Sequence, residues 1–149
     1  MYQHIMLPID GSELSLKAVH EGVNLAKALG SKITLITVVS PYRLSVTSPI
    51  TSGFVDEIEK RHDEESKKEA QKLHTEVVAG AKSEGVQCDS LVVMGDNPYA
   101  QITENALTRK CDLIVMASHG RRGFDAIVLG SETVKVLTHS KIPVLVVRK

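Results

Sequence analysis

Apolar and polar positions alternate in blocks along the chain, with five short apolar runs separated by segments of helical spacing. Most of the runs are apolar at consecutive positions, which is typical of strands that helices cover on both faces of a parallel sheet. The runs occupy residues 4–9, 32–39, 89–94, 111–117 and 143–147. The pattern predicts an α/β fold, a three-layer sandwich, and the length of 149 residues suits one domain, 1–149.

The first interval between runs predicts a helix that ends at Gly30. Its inward positions are expected to be Leu14, Ala18, Val19, Val23, Ala26 and Leu29. After an irregular loop over 41–53, a second helix of about thirty residues is expected. From Asp56 to Glu69 only Ile58 is apolar, so the first half of this helix is predicted to project into solvent. Its second half is expected to pack on the sheet through Ala70, Leu73, Val77 and Ala81.

Two further helices follow the third and fourth runs. The earlier one is predicted to begin with Asn97 as its cap and Pro98 at its first position. Its inward residues are expected to be Ile102, Ala106 and Leu107. The last helix is predicted to have Ser131 as its cap, and its apolar stripe is expected to contain Val134 and Leu137.

Charge and composition exclude several classes of partner. Lysine plus arginine equals aspartate plus glutamate at 18 each, so we expect no nucleic acid and no membrane surface as partner. The two cysteines, Cys88 and Cys111, are expected to be buried thiols. No signal peptide and no apolar run of membrane length is apparent, which favours a cytoplasmic protein.

Polar and flexible residues follow the first four runs, where the carboxyl ends of parallel strands bind ligands. These groups occupy residues 10–12, 40–41, 95–97 and 118–120. The last group opens the stretch 117–133, "ASHGRRGFDAIVLGSET", in which glycines free the backbone and a helix begins at a hydroxyl residue. Those are the requirements of a phosphate site, with Gly130 able to adopt a left-handed turn and Arg121 and Arg122 able to close over the anion. The alternative is an ordinary glycine-rich loop.

The spacing in this stretch matches neither the P-loop nor the dinucleotide fingerprint. Instead "ASHG", nine residues and "GS" resemble the G-x2-G-x9-G-[ST] signature of the nucleotide-binding branch of the universal stress protein family. "IMLPIDGSELSLKAV" (5–19), "DLIVMASHGRRG" (112–123) and "VLTHSKIPVLVV" (136–147) are also similar to that family. The resemblance covers essentially the whole chain.

The resemblance implies a Rossmann-like fold of the adenine nucleotide alpha hydrolase-like kind, with five parallel strands in the order 3-2-1-4-5. It also implies ATP, or another adenine nucleotide, and Mg²⁺ as ligands. Pro8 and Ile9 would line the adenine pocket, and Val38 or Val39 would offer backbone groups to the adenine edge. Asp10 would lie near the ribose or a phosphate-bound Mg²⁺. The residues implied at the nucleotide are Pro8, Ile9, Asp10, Val38, Val39, Met116, Ala117, His119, Gly120, Arg121, Gly130, Ser131, Glu132 and Thr133.

Within that set, Met116 and Ala117 would lie under the nucleoside. The groups that would hold the phosphates are Gly120, Gly130, Ser131 and Thr133. Two positions depart from the family pattern. Ala117 replaces the first glycine of the signature, and Glu132 places in the first helical turn a carboxylate that would interact with the dipole of its own helix and repel a triphosphate.

The sequence therefore predicts an ATP-binding regulatory protein of the stress response. Two alternatives stay open. One is a homodimeric interaction module of the same fold that binds no nucleotide. The other is a slow Mg²⁺-dependent ATPase using Asp10 and His119, although we predict no catalytic residue and, on balance, no enzyme. The other histidines lack the spacing of metal ligands.

The last apolar run, 143–147, would leave an exposed edge strand. Pairing of this strand with its two-fold mate predicts a homodimer, which the family resemblance also implies.

Overall fold

The computed structural model describes residues 1–45, 52–121 and 128–149. Its elements in chain order are β1 (His4–Pro8), α1 (Glu13–Leu29), β2 (Lys32–Val39), α2 (Ser52–Ser83), β3 (Cys88–Met94), α3 (Pro98–Thr108), β4 (Leu113–Ala117), α4 (Ser131–His139) and β5 (Val144–Val147). The strands pair in parallel in the order β3-β2-β1-β4-β5. The predicted α/β architecture and strand order are therefore confirmed.

The apolar runs are nearly continuous because each central strand is covered on both faces. Successive residues of β1 alternate between two core clusters: Ile5 and Leu7 pack against α1 and α2, whereas Met6 packs on the side of α3 and α4. Helix α1 begins at a cap in which the Ser12 hydroxyl accepts from the Ser15 N–H, and it ends at Gly30 with φ of 68°. The end at Gly30 agrees with the prediction.

Several residues predicted to point inward are exposed instead. Leu29, Leu107, Val134 and Leu137 are 36%, 43%, 45% and 41% exposed. In α4 the buried positions are Thr133 and Val136, because the Thr133 hydroxyl bonds to the backbone of β4 and turns that side of the helix to the sheet. The three-residue spacing was predicted correctly, but the phase was wrong by one residue.

Helix α2 is continuous over 32 residues and packs on the sheet mainly through its second half. Ala70 and Ala81 are buried, with Leu73 and Val77 partly buried, as predicted. The first half is largely exposed, and residues 42–44 lie along it. In this segment the N–H groups of Tyr42 and Leu44 donate to Asp63 and Glu59. The middle of the predicted loop, 46–51, lies outside the described residues.

The two cysteines are free and buried, as expected, and they belong to different core clusters. Burial raises the pKa of each thiol, Cys88 and Cys111, to about 11. In the parts of the chain that the structure describes, no helix combines the length and the apolar character needed to cross a membrane.

Two histidines are buried as partners of threonines on β2. His4 Nε2 lies 2.8 Å from the Thr34 hydroxyl, and His74 Nε2 lies 2.7 Å from the Thr37 hydroxyl. The Nδ1 atom of each ring is buried without a hydrogen-bond partner among the described residues. Burial therefore lowers the pKa of both imidazoles from 6.5.

This burial predicts a loss of stability in mild acid. Below pH 6.5 the unfolded chain binds protons at His4 and His74 that the native state binds only at lower pH, so the free energy of unfolding falls as pH falls. Each histidine contributes a slope of at most about 1.4 kcal/mol per pH unit. Urea unfolding between pH 7.5 and 5.5 measures it. His4→Gln and His74→Gln are expected to flatten the slope relative to His20→Gln, a control that removes an exposed histidine; equal slopes in all three variants would contradict the prediction.

Candidate functional site

A pocket of about 530 Å³ lies at the carboxyl edge of the sheet, beside the start of α4. This volume is within the range of small-molecule sites. Of the residues predicted at the site, those that line the pocket are Pro8, Ile9, Asp10, Val38, Met116, Ala117, His119, Gly120, Arg121, Gly130, Ser131, Glu132 and Thr133. Val39 is not among them, because side chains alternate along β2 and the pocket is lined by Ile36 and Val38.

Six residues that the prediction did not assign to the site also line the pocket. They are Ser15, Ile36, Ser40, Asp96, Pro98 and Ile102. Ser40 and Asp96 follow strands β2 and β3, so the sequence placed them at this edge without giving them a role. Ile36 was predictable from Val38, since residues two apart on a strand share a face.

Asp10 connects the ends of β1 and β4. One carboxylate oxygen accepts from the Ser12 N–H at 2.9 Å, and the other accepts from the Arg121 N–H at 3.0 Å. Partial burial by itself would raise the pKa of Asp10, but hydrogen bonds from Ser12, Ser15 and Arg121 outweigh it, and the pKa lies below its ordinary value of 3.8. The pocket therefore holds an ionised carboxylate at neutral pH.

Gly120 lies directly against this carboxylate. A Cβ atom built on Gly120 would overlap Asp10 Oδ2. The absence of a side chain at Gly120 is what lets the loop after β4 approach the loop after β1, as expected from adjacent strands. The neighbouring loop residues Arg122 and Gly123 lie outside the described residues.

Gly130 closes the loop that begins at Ser118. Its N–H donates to the Ser118 carbonyl at 2.8 Å. Gly130 does not adopt the left-handed turn that is open to a glycine, because its φ is −60° and its ψ is 151°. The residue is needed for close approach instead, since a Cβ there would lie 3.0 Å from the Cα of His119. Gly130 is also the N-cap of α4, so the prediction of Ser131 as the cap is wrong by one residue.

Glu132 points away from the start of its own helix. Its carboxylate accepts from the Tyr99 N–H of α3 at 2.9 Å and lies 3.0 Å from the Lys135 ammonium group. Asn97, the predicted cap of α3, makes no side-chain capping bond, so Glu132 supplies that interaction. The first N–H groups of α4 are thus not satisfied by this carboxylate, contrary to the expectation from sequence.

Thr133 and His119 are more constrained than the sequence indicated. The Thr133 hydroxyl donates to the Ala117 carbonyl at 3.0 Å, so its hydrogen is not available to a ligand. Ala117 is 7% exposed and belongs to the core cluster on the α1 side. The His119 ring is buried, and its Nδ1 lies 3.2 Å from the Ser118 hydroxyl.

Comparison with known proteins shows which family this chain resembles. The model of the universal stress protein family matches residues 1–148. Universal stress protein MJ0531 of Methanocaldococcus jannaschii is 32% identical, over 100% of this chain and 84% of that protein. Universal stress protein YxiE of Bacillus subtilis is also 32% identical, over 99% of this chain and 100% of its own.

Solved structures agree on the fold. The structure of MJ0577, a hypothetical protein, has a TM-score of 0.85 at 26% identity and covers 100% of this chain and 97% of its own. A universal stress protein in complex with cAMP has a TM-score of 0.67 at 24% identity, over 99% and 97% of the two chains. Another, from Archaeoglobus fulgidus in complex with dAMP, has a TM-score of 0.67 at 16% identity, over 99% and 98%.

The close approach at Gly130 predicts the effect of a single methyl group. Gly130→Ala has no φ penalty, so its cost measures the crowding against His119, and we expect a loss of about 1 to 3 kcal/mol in the free energy of unfolding. Gly80→Ala is the matched control, because nothing lies within 4 Å of the new Cβ. Gly80 lies in the last turn of α2, where this change should leave the free energy of unfolding unchanged or raise it by up to about 1 kcal/mol. Equal unfolding midpoints in urea for the two variants would contradict this account.

Proposed function

The chain belongs to the universal stress protein family, and on that premise we propose that its pocket binds an adenine nucleotide, in the first instance ATP with Mg²⁺. In this proposal the protein is a nucleotide-dependent regulator of the stress response rather than a metabolic enzyme. Relatives of the same fold in complex with cAMP and dAMP support an adenine nucleotide as the ligand class.

The observation that carries the proposal is the arrangement around the start of α4. A helix N-terminus presents backbone N–H groups and partial positive charge to an anion. Here Gly120 and Gly130 bring two backbone segments close together beside it, and the Glu132 carboxylate is engaged with α3. Phosphates fit that end of the pocket, whereas Ile36, Val38 and Met116 provide apolar surface for a base.

Mg²⁺ fits this site only together with phosphates. Among the described residues, no group of three or more acidic, histidine or cysteine side chains is arranged to hold a metal ion. Asp10 supplies one ionised carboxylate, and Mg²⁺ is commonly held by one or two carboxylates plus substrate phosphates. The ion would supply positive charge between Asp10 and the phosphates.

A homodimeric interaction module that binds no nucleotide is the second candidate. It is favoured by the carboxylates of Asp96 and Glu132, which line the pocket with Asp10 and oppose a polyanion.

Under either candidate function, β5 is an edge of the sheet and Leu145 on it is 43% exposed. We propose that a second copy of the chain pairs with this strand. Free buried thiols accord with the cytoplasm as the proposed compartment.

Nucleotide binding is tested on the protein as purified. Mass spectrometry of released ligand should detect an adenine nucleotide, and calorimetric titration of the stripped protein should show heat with MgATP, cAMP or AMP but not with MgGTP. Gly120→Ala should weaken binding at least about tenfold, because its methyl group displaces Asp10. Gly80→Ala should bind like the wild-type protein. Absence of ligand and of heat up to millimolar adenine nucleotide would refute the proposal in favour of the interaction module.

The dimer is tested by charge at the edge strand. Leu145→Lys should yield monomers in sedimentation velocity, because an edge lysine opposes strand pairing between copies. Leu107→Lys is the matched control: this leucine is also 43% exposed, but it lies on α3. A Leu145→Lys protein that sediments as the same species as wild type and control would exclude the β5 interface.

A further inference from the structure

A partly buried line of hydrogen bonds runs from α2 through β2 to the end of β1. The Thr37 hydroxyl of β2 donates to the Ile9 carbonyl at 2.6 Å, and His74 Nε2 of α2 lies 2.7 Å from the same hydroxyl oxygen. His74 is 2% exposed. Neither His74 nor Thr37 lines the pocket, whereas Ile9, whose carbonyl accepts from Thr37, does line it.

The direction of each bond follows from counting hydrogens. The Thr37 hydroxyl has one hydrogen, which it gives to Ile9, so it must accept from His74 Nε2–H. The His74 Nδ1 atom then carries a lone pair, and it is buried without a partner among the described residues. A neutral imidazole with one unsatisfied nitrogen is costly in an apolar core, where a leucine or methionine would avoid the penalty.

Both backbone polar groups of Ile9, its N–H and its carbonyl, are hydrogen-bonded. Its N–H donates to the Ile36 carbonyl at 2.9 Å, and its carbonyl accepts from Thr37. The next residue is Asp10, whose carboxylate receives the N–H groups of Ser12 and Arg121. The Ile9 carbonyl belongs to the peptide group that joins Ile9 to Asp10. A bond that fixes this carbonyl therefore also fixes the backbone orientation at Asp10.

We propose that His74 and Thr37 are positioning residues for Asp10, holding its carboxylate in the geometry that joins the two loops of the pocket. The nucleotide in this inference rests on the proposed function, whereas the positioning of Asp10 does not. The chain contains an internal control. His4 and Thr34 form the same kind of pair, at 2.8 Å, on β1 and β2 but at the opposite end of the strands.

The test compares two isosteric substitutions, Thr37→Val and Thr34→Val, by amide hydrogen exchange in the absence of nucleotide. The reporters are the N–H groups of Ser12 and Arg121, which donate to Asp10. Thr37→Val should accelerate their exchange about two- to tenfold. Thr34→Val should leave it unchanged even where global stability falls. Thr37→Ser keeps the hydroxyl and should restore wild-type exchange.

Nucleotide affinity is the second readout. Thr37→Val should weaken MgATP binding about two- to tenfold, with Thr34→Val as the wild-type-like control. His74→Leu removes the donor but keeps the Thr37 hydroxyl, so it should shift exchange in the same direction and stands in if Thr37→Val does not fold. Combining both changes should add little to either alone, because both act through one carbonyl.

The outcomes separate the two proposals. Wild-type exchange at Ser12 and Arg121 in Thr37→Val and His74→Leu would overturn the positioning role, whatever the nucleotide does. An equal acceleration in Thr34→Val would also overturn it, because the effect would then be general loosening of the sheet. A wild-type protein that binds no adenine nucleotide would refute the proposed function, and the exchange result would still decide the role of His74 and Thr37.

Discussion

The parallel pairing of β1 with β4 is the constraint on which the candidate site depends. These strands lie more than a hundred residues apart in sequence, and their register aligns Ile5 with Leu113 and Met6 with Ile114. A carboxylate joins the pair at each end. Asp112 accepts the N–H groups of Gln3 and His4 where the strands begin, and Asp10 accepts the Arg121 N–H where they end. A slip in this register would turn every side chain of β1 to the other face and separate Asp10 from the loop of β4.

The carboxylate of Glu132 bonds to the start of a neighbouring helix and leaves the start of its own helix free of that charge. Glu132 interacts with the N-terminus of α3 rather than with that of α4, where it resides. The carboxylate thereby ties α3 to α4 and is balanced by Lys135 and the α3 dipole, which limits the field it projects into the pocket. Asp10 remains ionised through donors from the backbone and two serines. The negative charge at the pocket is thus fixed in place, and the Glu132 carboxylate does not occupy the start of α4, as the proposed phosphate site requires.

Much of the fold and of the pocket lining was predictable from sequence because both follow from regular patterns. Consecutive apolar residues identified the strands, and the glycine and hydroxyl spacing identified the loop that lines the pocket. Two of the predictions that failed depended on single tertiary contacts. The phase of α4 is set by the bond from Thr133 to Ala117, so Val134 and Leu137 face outward. The reason for Gly130 is a neighbour, His119, rather than its own backbone angles, and no local pattern encodes a neighbour across a ten-residue loop.

The position of Ala117 shows why a departure from a family pattern has to be weighed in three dimensions. In the sequence signature, Ala117 stands where the family has its first glycine, which suggests that the added methyl group would intrude on a ligand. In the fold, Ala117 ends β4 within the cluster under α1, and its carbonyl accepts from Thr133 in the first turn of α4. Because strand side chains alternate, the face that Ala117 gives to the core is the one opposite Met116, which packs on the α3 and α4 side. Ala117 also lines the pocket, so this residue stands between the core under α1 and the space in which we propose that a nucleoside lies against Met116.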